Sequence, residues 1–459
     1  MKKTIYSKLA LLAIFLTLGY TANAQKQARA FGRPVKAAPT ESGHIRCVST
    51  EYEDYLQEKF EDRATKEQFE QWIAGKIAEE KLHRQASPSN EAIVITIPVV
   101  VHVIHDGDNV GSGENIKEGQ VLSQITVLNQ DYRKMAGTPG FNSDEVGADV
   151  EIEFCLAKTA PDGTLTNGID RVNLGVSQWG NDDIENIMKP ETIWDPTKYF
   201  NIWVCRFGLD LSDVLGYAQF PAASTLQGLS GPYTANTDGV VIGYQNFGSR
   251  TIFPGGTYQT PYDKGRTATH EIGHALGLRH IWGDYDGCSS APQNGDYCAD
   301  TPVSETANDT CPDGFDSCPS LAGVDMTNNY MDYTRDNCMN LFTADQKIRI
   351  RTVMQNSPRR ASLTTSTVCQ PPLGVQDFEL LNGINLYPNP AQDILNIAVE
   401  NGELPDSFTI YNNLGQTIAT VKVSSNANLT VNTSSYSNGI YFIKIDKGSQ
   451  SKKLKFVKN

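Results

Sequence analysis

The 459-residue chain has few long hydrophobic runs, and its basic residues are fewer than its acidic ones. Beyond residue 24, no segment reaches the roughly 18 consecutive apolar residues that a membrane-spanning helix requires. The 39 lysines and arginines face 53 aspartates and glutamates, which gives a formal net charge of -14. This balance argues against nucleic acid or an anionic membrane as the main partner. We therefore expect a mature chain with no nucleic-acid partner and no transmembrane segment.

The apolar run that does occur lies at the N-terminus. Residues 1–8 carry three lysines, residues 9–20 are apolar but too few to span a bilayer comfortably, and Ala22-Asn23-Ala24 supplies a small-residue cleavage site. The pattern predicts a signal peptide at residues 1–24. The protein is then exported, either secreted or attached to the outer cell surface, where disulfides persist.

Cysteine is also scarce, and its count is odd. The chain has nine cysteines, so eight paired cysteines are plausible and one is left over. Cys47 is the isolated one, because its nearest neighbour in the sequence is Cys155. The role of this leftover thiol is a question for the rest of the sequence.

The sequence divides into an N-terminal extension, a large mixed unit and a small C-terminal unit. Residues 25–90 are polar and predict a charged amphipathic helix. Residues 91–360 begin with a β-branched run typical of a central strand, and strand-like and helical patterns then alternate, which predicts a mixed α/β fold with a partly parallel sheet. A Ser/Thr/Pro-rich linker at 361–381 precedes residues 382–459, where short alternating strands predict a β-sandwich.

The motif HEIGHALGLRH carries the chemistry. A helix places His270 and His274, four residues apart, on one face at the separation of zinc ligands. Gly277 lets the chain leave the helix in a left-handed conformation, which brings His280 back as a third ligand. The fourth position is left for water, and Glu271 is placed to take a proton from it.

A lone HExxH pattern is a modest signal, because two histidines on a helix can simply form a polar face. Five fixed residues over eleven positions are expected by chance on the order of once in 10^4 to 10^5 chains of this length. The motif therefore predicts a catalytic zinc site.

The motif, the segment NYMDYT at residues 329–334 and the cysteine-rich stretch between them resemble the pappalysin family of metzincin metalloproteases, over roughly residues 93–356. The resemblance implies a metzincin-like catalytic domain: a twisted mixed sheet, an active-site helix and an irregular lower subdomain stapled by disulfides. It also implies a secreted zinc endopeptidase that hydrolyses peptide bonds in proteins and is made as a latent zymogen.

The resemblance assigns roles to further residues. Met331 would form the hydrophobic floor under the zinc, and the Tyr333 hydroxyl would help to stabilise the tetrahedral intermediate. The disulfides that it implies in the insert are Cys288–Cys318 and Cys311–Cys338. Cys155 and Cys205 lie in two predicted strands and form either a third pair or two buried thiols, and the partners of Cys298 and Cys369 stay open.

The leftover Cys47 falls in a segment that resembles the propeptides of this family. There an Arg-Cys element reaches the metal, and Arg46-Cys47 matches it. A thiolate binds zinc better than water does, so Cys47 would hold the enzyme inactive until the extension is removed. The alternatives are an intermolecular disulfide and a thiol without a role.

Two further sites follow from the resemblance. The loop at residues 295–302 matches an acidic calcium-binding loop, with Asp296, Asp300 and Thr301 as oxygen ligands, although such loops are often merely solvated. Arginine-selective relatives carry an aspartate at the base of the S1′ pocket, where this chain has Asn337, which puts a preference for arginine in doubt. We expect the substrate to add an antiparallel strand to the edge at residues 238–244.

The C-terminal segments NLYPNPAQDILNI, IYNNLGQ and SNGIYFIKI resemble the sorting domain of type IX secretion, which implies the type IX secretion machinery as a partner. The alternative for this tail is a carbohydrate-binding or adhesive module. For the whole chain, the alternative to a protease is a cell-surface adhesion or binding protein on an inactive protease scaffold. Glu271 argues against that alternative, because a purely structural metal site needs no base.

Overall fold

The computed structural model describes residues 28–86, 93–223, 235–372, 384–399, 404–448 and 450–459. The predicted signal peptide lies outside these residues. The chain forms two compact units: the first ends at Cys369, and the second consists of the residues from Gln370 onward with residues 163–165. In the part of the chain that the structure describes, no helix has the length and apolar character needed to cross a membrane.

A six-stranded sheet forms the centre of the first unit, and its middle strand β3 is the predicted β-branched run. β3 pairs in parallel with β4 and β5 on one side and with β6 on the other. β8 continues the sheet in parallel, and β7 closes it as an antiparallel edge strand. These strands are β3 (Ile95–His105), β4 (Ile152–Leu156), β5 (Ile169–Asn173), β6 (Phe200–Cys205), β7 (Gly216–Ala218) and β8 (Val240–Gly243).

Helices cover this sheet, and the predicted active-site helix is the most deeply placed. Every residue of α6 (Arg266–Ala275) is buried. It packs against β7, β8 and α3 (Glu118–Tyr132). The other helices of this part are α4 (Asn181–Asp183), α5 (Lys189–Thr192), α7 (Ala344–Asn356) and α8 (Pro358–Leu363).

The N-terminal segment, residues 28–86, packs on the same unit. It contains the short hairpin of β1 (Arg29–Ala30) and β2 (Arg33–Pro34), then α1 (Ser49–Lys59) and α2 (Lys66–Ala86). Tyr52 of α1 is fully buried in an apolar cluster with Trp203 of β6. An apolar stripe on α2 packs against Val353 of α7. The segment is therefore an integral part of the core.

Residues 283–340 are mostly turns and irregular chain, in agreement with the irregular lower subdomain that the resemblance implies. Disulfides order a segment that has too little regular structure to bury a core of its own. The structure forms the two bonds that the resemblance implies, Cys288–Cys318 and Cys311–Cys338.

The remaining cysteines differ from the expectation of four disulfides. Cys155 on β4 bonds to Cys369, and the described thiols of Cys47, Cys205 and Cys298 are free and buried. A Cys155–Cys205 pair is excluded because β4 and β6 lie on opposite sides of β3, about 10 Å apart. The bond to Cys369 and helix α8 also show that residues 361–369 belong to the first unit, although their composition is that of a linker.

The second unit consists of two antiparallel sheets, in agreement with the predicted all-β sandwich. Their strand orders are β13-β10-β9 and β12-β11-β14-β15. Alternate side chains such as Ile397, Phe408 and Ile443 form the shared core. The strands are β9 (Ile384–Tyr387), β10 (Ile394–Val399), β11 (Ser407–Asn412), β12 (Thr417–Lys422), β13 (Thr430–Asn432), β14 (Gly439–Lys447) and β15 (Gln450–Lys458).

Candidate metal and catalytic centre

Three histidine nitrogens converge at one buried point. Helix α6 presents His270 and His274 on the same face, and their Nε2 atoms lie 3.1 Å apart. Gly277 follows the helix with φ of 91°, the left-handed turn that the sequence predicts. This turn brings back His280, whose Nε2 atom lies 3.3 Å from that of His270 and 3.0 Å from that of His274.

The other ring nitrogen of each histidine is held by an acceptor outside the cluster. Nδ1 of His270 lies 2.7 Å from the Tyr330 carbonyl, and Nδ1 of His274 lies 2.9 Å from the Leu278 carbonyl. Burial, and then the neighbouring imidazoles, hold the pKa values of His270 and His274 well below their usual range. These rings are therefore neutral and direct their Nε2 lone pairs inward, which is the arrangement of a metal site.

Asp284 holds the third histidine and was not predicted as a site residue. Its Oδ1 atom lies 2.6 Å from Nδ1 of His280, and its Oδ2 atom accepts a hydrogen bond from Thr50. Burial would raise the pKa of Asp284, but His280 holds it well below its usual range. The sequence offers one signal for this contact, a carboxylate four residues after the third histidine. That spacing does not indicate a contact unless the turn at Gly283 is known.

Glu271 lies beside the histidines and is completely buried. Its Oε2 atom accepts a hydrogen bond from the Ser49 hydroxyl at 2.8 Å and from the Cys47 thiol at 3.3 Å. Oε1 has no hydrogen-bond partner among the described residues. Burial raises the pKa of Glu271 to about 8, which suits a carboxylate that takes up and returns a proton.

The Cys47 thiol completes the cluster. Its sulfur and one nitrogen from each of the three histidines all lie within 4.8 Å of one another. Burial, and then the Glu271 carboxylate, raise the pKa of the thiol well above its usual value. A cation at the centre would offset that rise and stabilise the thiolate. Three imidazoles and one thiol are a donor set that fits a metal ion of the zinc type.

Met331 and Tyr333 both lie against the histidines. Met331 is fully buried, and its sulfur packs so closely on Gly273 of α6 that a Cβ atom there would lie 2.5 Å from it. The Tyr333 ring centroid is 4.9 Å from that of His280, and its hydroxyl donates to the Cys47 carbonyl at 3.0 Å. Both residues therefore lie beside the histidine cluster, and their roles there stay predictions.

The carboxylate near Asn337 is the adjacent Asp336. Asn337 is exposed, whereas Asp336 is buried. Oδ1 of Asp336 accepts from the Arg46 guanidinium at 3.1 Å, and Oδ2 accepts from the backbone N–H groups of Lys264 and Arg266. Arg46, the residue before Cys47, therefore places its guanidinium in a buried site against the Asp336 carboxylate.

The predicted substrate edge at residues 238–244 is not open, because β7 pairs with β8 along it. The outer edge of the sheet lies instead along residues 213–218. The N-terminal segment already contacts it: Ile45 donates its N–H to the Asp213 carbonyl at 2.8 Å and accepts from the Leu215 N–H at 3.0 Å. A chain that pairs with this edge passes directly over the histidine cluster.

The predicted calcium ligands are close together but differ in what they contact. Asp296 is buried, its Oδ1 atom accepts from the Thr301 hydroxyl at 2.7 Å, and its Oδ2 atom has no partner among the described residues. Asp300 is engaged, since its two oxygens accept from the Thr343 hydroxyl and the Asp345 N–H. Asp296 is therefore the residue of this loop with an oxygen available to a cation.

Comparison with known proteins agrees with this geometry. A family model described as pregnancy-associated plasma protein-A matches residues 182–355, and a model described as a secretion system C-terminal sorting domain matches residues 385–459. An extracellular metalloprotease of Sordaria macrospora is 34% identical over 269 residues, which cover 59% of this chain and 78% of that protein.

Two solved structures are similar to the first unit. Mirolysin in complex with compound 9 is 39% identical, with a TM-score of 0.51, and the match covers 60% of this chain and 97% of that one. A mutant of Tannerella forsythia promirolysin is 37% identical, with a TM-score of 0.53, and the match covers 65% of this chain and 92% of that one. The likeness thus extends to a proenzyme.

Proposed function

Because this chain belongs to the pappalysin family of extracellular metalloproteases, we propose a mechanism by which its buried histidine site hydrolyses peptide bonds. The protein is a secreted or surface-attached metalloendopeptidase made as a zymogen, and its C-terminal part is a secretion sorting domain. The proposal concerns the metal, the roles of the residues and the specificity.

We assign zinc to His270, His274 and His280, since three imidazole nitrogens directed at one point would hold the ion and leave room for a water molecule beside it. Zinc held there would polarise the scissile carbonyl and acidify a water molecule. Glu271 accepts the proton from that water and returns it to the leaving nitrogen. The Tyr333 hydroxyl donates to the oxygen that gains charge in the transition state. The observation that carries this assignment is the convergence of three Nε2 atoms beside a buried carboxylate.

We attribute latency to the contacts that Cys47 and Ser49 make with the catalytic groups in the intact chain. The Cys47 thiol lies beside the three histidine nitrogens, where it would serve as a further ligand of the metal, and the Cys47 carbonyl accepts a hydrogen bond from the Tyr333 hydroxyl. Ser49 donates to Glu271. One short stretch thus engages the metal position, the base and the tyrosine at once, so its removal exposes all three.

The Arg46–Asp336 pair supports a preference for arginine at the substrate position after the scissile bond. Removal of Arg46 leaves Asp336 with two backbone donors but without the ion-pair partner that the described residues give it. A buried carboxylate in that state favours a substrate guanidinium. We therefore propose Asp336, rather than Asn337, as the specificity residue.

The predicted calcium site remains a proposal that rests on one oxygen. Oδ2 of Asp296 is buried and has no hydrogen-bond partner in the part of the chain that the structure describes, and a hard cation would satisfy it. Because Asp300 is engaged by helix α7, backbone carbonyls and water would have to supply the remaining ligands. The type IX secretion machinery is the proposed partner of the C-terminal sorting domain.

The test compares the zymogen with its Glu271→Ala variant after an added protease has trimmed both at the end of the N-terminal segment. Both forms are incubated with a diverse peptide library, the cuts are read by mass spectrometry, and bound metal is measured by elemental analysis. We expect zinc in both forms, but cuts, mostly before arginine, only from the parent. Equal cutting by the variant would remove Glu271 from the mechanism.

An Asp336→Asn variant tests the specificity separately. We expect the ratio of kcat/KM for peptides with arginine and with leucine after the scissile bond to fall about tenfold or more, since the buried charge partner is lost. A folded, zinc-loaded parent that makes no cuts would favour the binding-protein alternative.

A further inference from the structure

A cluster of three carboxylates lies away from the catalytic centre, in the loop that follows β3. Asp106 and Asp108 come directly after the strand, and Glu114 follows within the same loop. One oxygen from each of the three lies within 4.8 Å of the other two. Exposed acidic residues often cluster without a ligand, so this proximity is not sufficient by itself.

Glu114 is the member of the cluster that needs an explanation. The residue is only 2% exposed, yet its Oε1 atom has no hydrogen-bond partner among the described residues. Oε2 lies 2.8 Å from a guanidinium nitrogen of Arg206, whose side chain is 41% exposed. A buried carboxylate oxygen without a partner is costly, and native structures seldom retain one without a role for it.

Among the described residues, the cluster makes one ion pair, between Glu114 and Arg206. Three carboxylates face one guanidinium, which leaves a net negative charge at a partly buried place. The donor set contains only hard carboxylate oxygens and no histidine or cysteine, in contrast to the catalytic centre. Such a set selects a hard divalent cation.

The loop itself is shaped by groups other than the three carboxylates. The Asn115 amide donates to the Asp108 carbonyl at 2.6 Å, and Arg171 donates to the Asn115 side chain at 2.6 Å. Gly113 has φ of 52°, and a Cβ atom there would lie 2.2 Å from Oδ2 of Asp108. The backbone at Gly113 therefore approaches the Asp108 carboxylate as closely as glycine permits. The carboxylate oxygens of the cluster are not used by these contacts and remain available to a ligand.

We propose that Asp106, Asp108 and Glu114 bind a calcium ion. An exported protein meets calcium outside the cell, and this ion accepts several carboxylates together with water and carbonyl oxygens in a flexible geometry. The bound ion satisfies Oε1 of Glu114 and fastens the loop after β3 beside Arg206, the residue that follows β6. Its effect is to stabilise the carboxyl ends of two central parallel strands. The site is separate from the loop at residues 295–302.

The test uses the full chain with Glu271→Ala, so that self-digestion does not interfere, after EGTA treatment to remove calcium. Calcium binding is measured by titration calorimetry and stability by thermal unfolding. The test variant adds Asp106→Asn and Asp108→Asn. A matched control adds Asp182→Asn and Asp183→Asn, an exposed acidic pair elsewhere. An Asp296→Asn variant identifies any calcium bound at the other loop.

We expect the test variant to lose one calcium equivalent or to bind it at least tenfold more weakly, and to lose part of the rise in Tm that calcium causes. In EGTA it should unfold at the same temperature as the parent or higher, because the repulsion between carboxylates is reduced. Asp106→Asn alone, at an exposed position, should weaken the same equivalent if the double variant folds poorly. The control should bind calcium like the parent.

Three results would overturn the proposal. The first is a test variant that binds as many calcium ions, as tightly, as the parent. The second is an equal loss in the control, which would indicate a general charge effect. The third is binding of magnesium as tight as that of calcium, which would contradict the assigned ion. Because none of these measurements depends on peptide cleavage, failure of the proposed catalytic roles would leave the outcome readable.

Discussion

Two parts of the N-terminal segment contact the rest of the first unit in different ways. The stretch from Arg46 to Ser49 lies mostly outside regular structure and engages the catalytic groups one by one. Helix α2 lies elsewhere on the unit and contributes an apolar stripe, Phe69, Trp72 and Ile73, together with one buried carboxylate. The first contact covers the histidine site, and the second packs the segment against the rest of the unit.

The carboxylate of α2 is Glu70, which pairs with two buried arginines at once. Oε1 accepts from Arg279 at 3.0 Å, and Oε2 accepts from Arg349 at 2.8 Å. Arg279 also directly precedes His280, so the attachment lies next to the metal site in sequence. The two contacts use separate residues, so the proposed inhibition and the attachment of the segment can be tested by separate substitutions.

The largest effect is expected where the chemistry is blocked. Cys47→Ala in the full chain removes the proposed fourth ligand, so peptide cleavage by the unprocessed protein should rise about tenfold or more, which corresponds to roughly 1.4 kcal/mol or more of lost inhibition. The measurement is the rate of cleavage of a fluorogenic peptide before any processing. Cys298→Ala, at another buried free thiol, is the control and should stay as latent as the parent. Latency of Cys47→Ala equal to the parent's would contradict the switch.

The next effect concerns anchoring. Glu70→Ala leaves Arg279 and Arg349 buried without their shared partner, so the free energy of unfolding of the zymogen's first unit should fall by about 3–5 kcal/mol. Glu79→Ala removes an exposed carboxylate from the same helix and should change the free energy of unfolding by no more than about 0.5 kcal/mol. Urea unfolding followed by tryptophan fluorescence measures both. Equal losses in the two variants would show that Glu70 does not anchor the segment.

A smaller effect should appear with pH. Burial would raise the pKa of Glu70, but Arg349 and then Arg279 lower it below its usual value. A depressed folded pKa contributes stability above the unfolded value of about 4.3, and this is lost as pH falls through the folded pKa. The stability difference between the parent and Glu70→Gln should therefore shrink from pH 7 to pH 3, as measured by urea unfolding at each pH. A difference that stays constant would rule out a charge contribution.

The smallest effect is expected at Asn337. Because its side chain is exposed, Asn337→Asp should leave the free energy of unfolding within about 0.5 kcal/mol and should not change the cleavage preference of the trimmed enzyme. The measurement is the same ratio of kcat/KM values that serves for Asp336→Asn. A gain in arginine preference in Asn337→Asp would return the specificity role to position 337.

Several parts of the site could be predicted because they depend on local geometry. His270 and His274 lie close together because they are four residues apart on a helix. Gly277 adopts a left-handed turn that can be predicted from the residues directly around it. The residues that contact the histidines and Arg46 from distant parts of the chain could not be predicted in this way. Asp284 contacts His280 across an irregular turn. Asp336 is buried and Asn337 is not, and no helical or strand period at this point indicates which of the two side chains faces inward. Side-chain direction in such segments follows from tertiary packing.

The amino-acid sequence was sufficient to predict a three-histidine motif with an adjacent glutamate, a lone upstream cysteine, an exported α/β unit and a C-terminal sandwich. Which distant groups meet depends on the tertiary structure. It separated Cys155 from Cys205 by placing β3 between their strands, covered the expected substrate edge with β7, and paired Glu70 with Arg279 and Arg349. Local patterns specify helices and ligand spacing, whereas strand order and buried ion pairs depend on contacts between residues far apart in the chain.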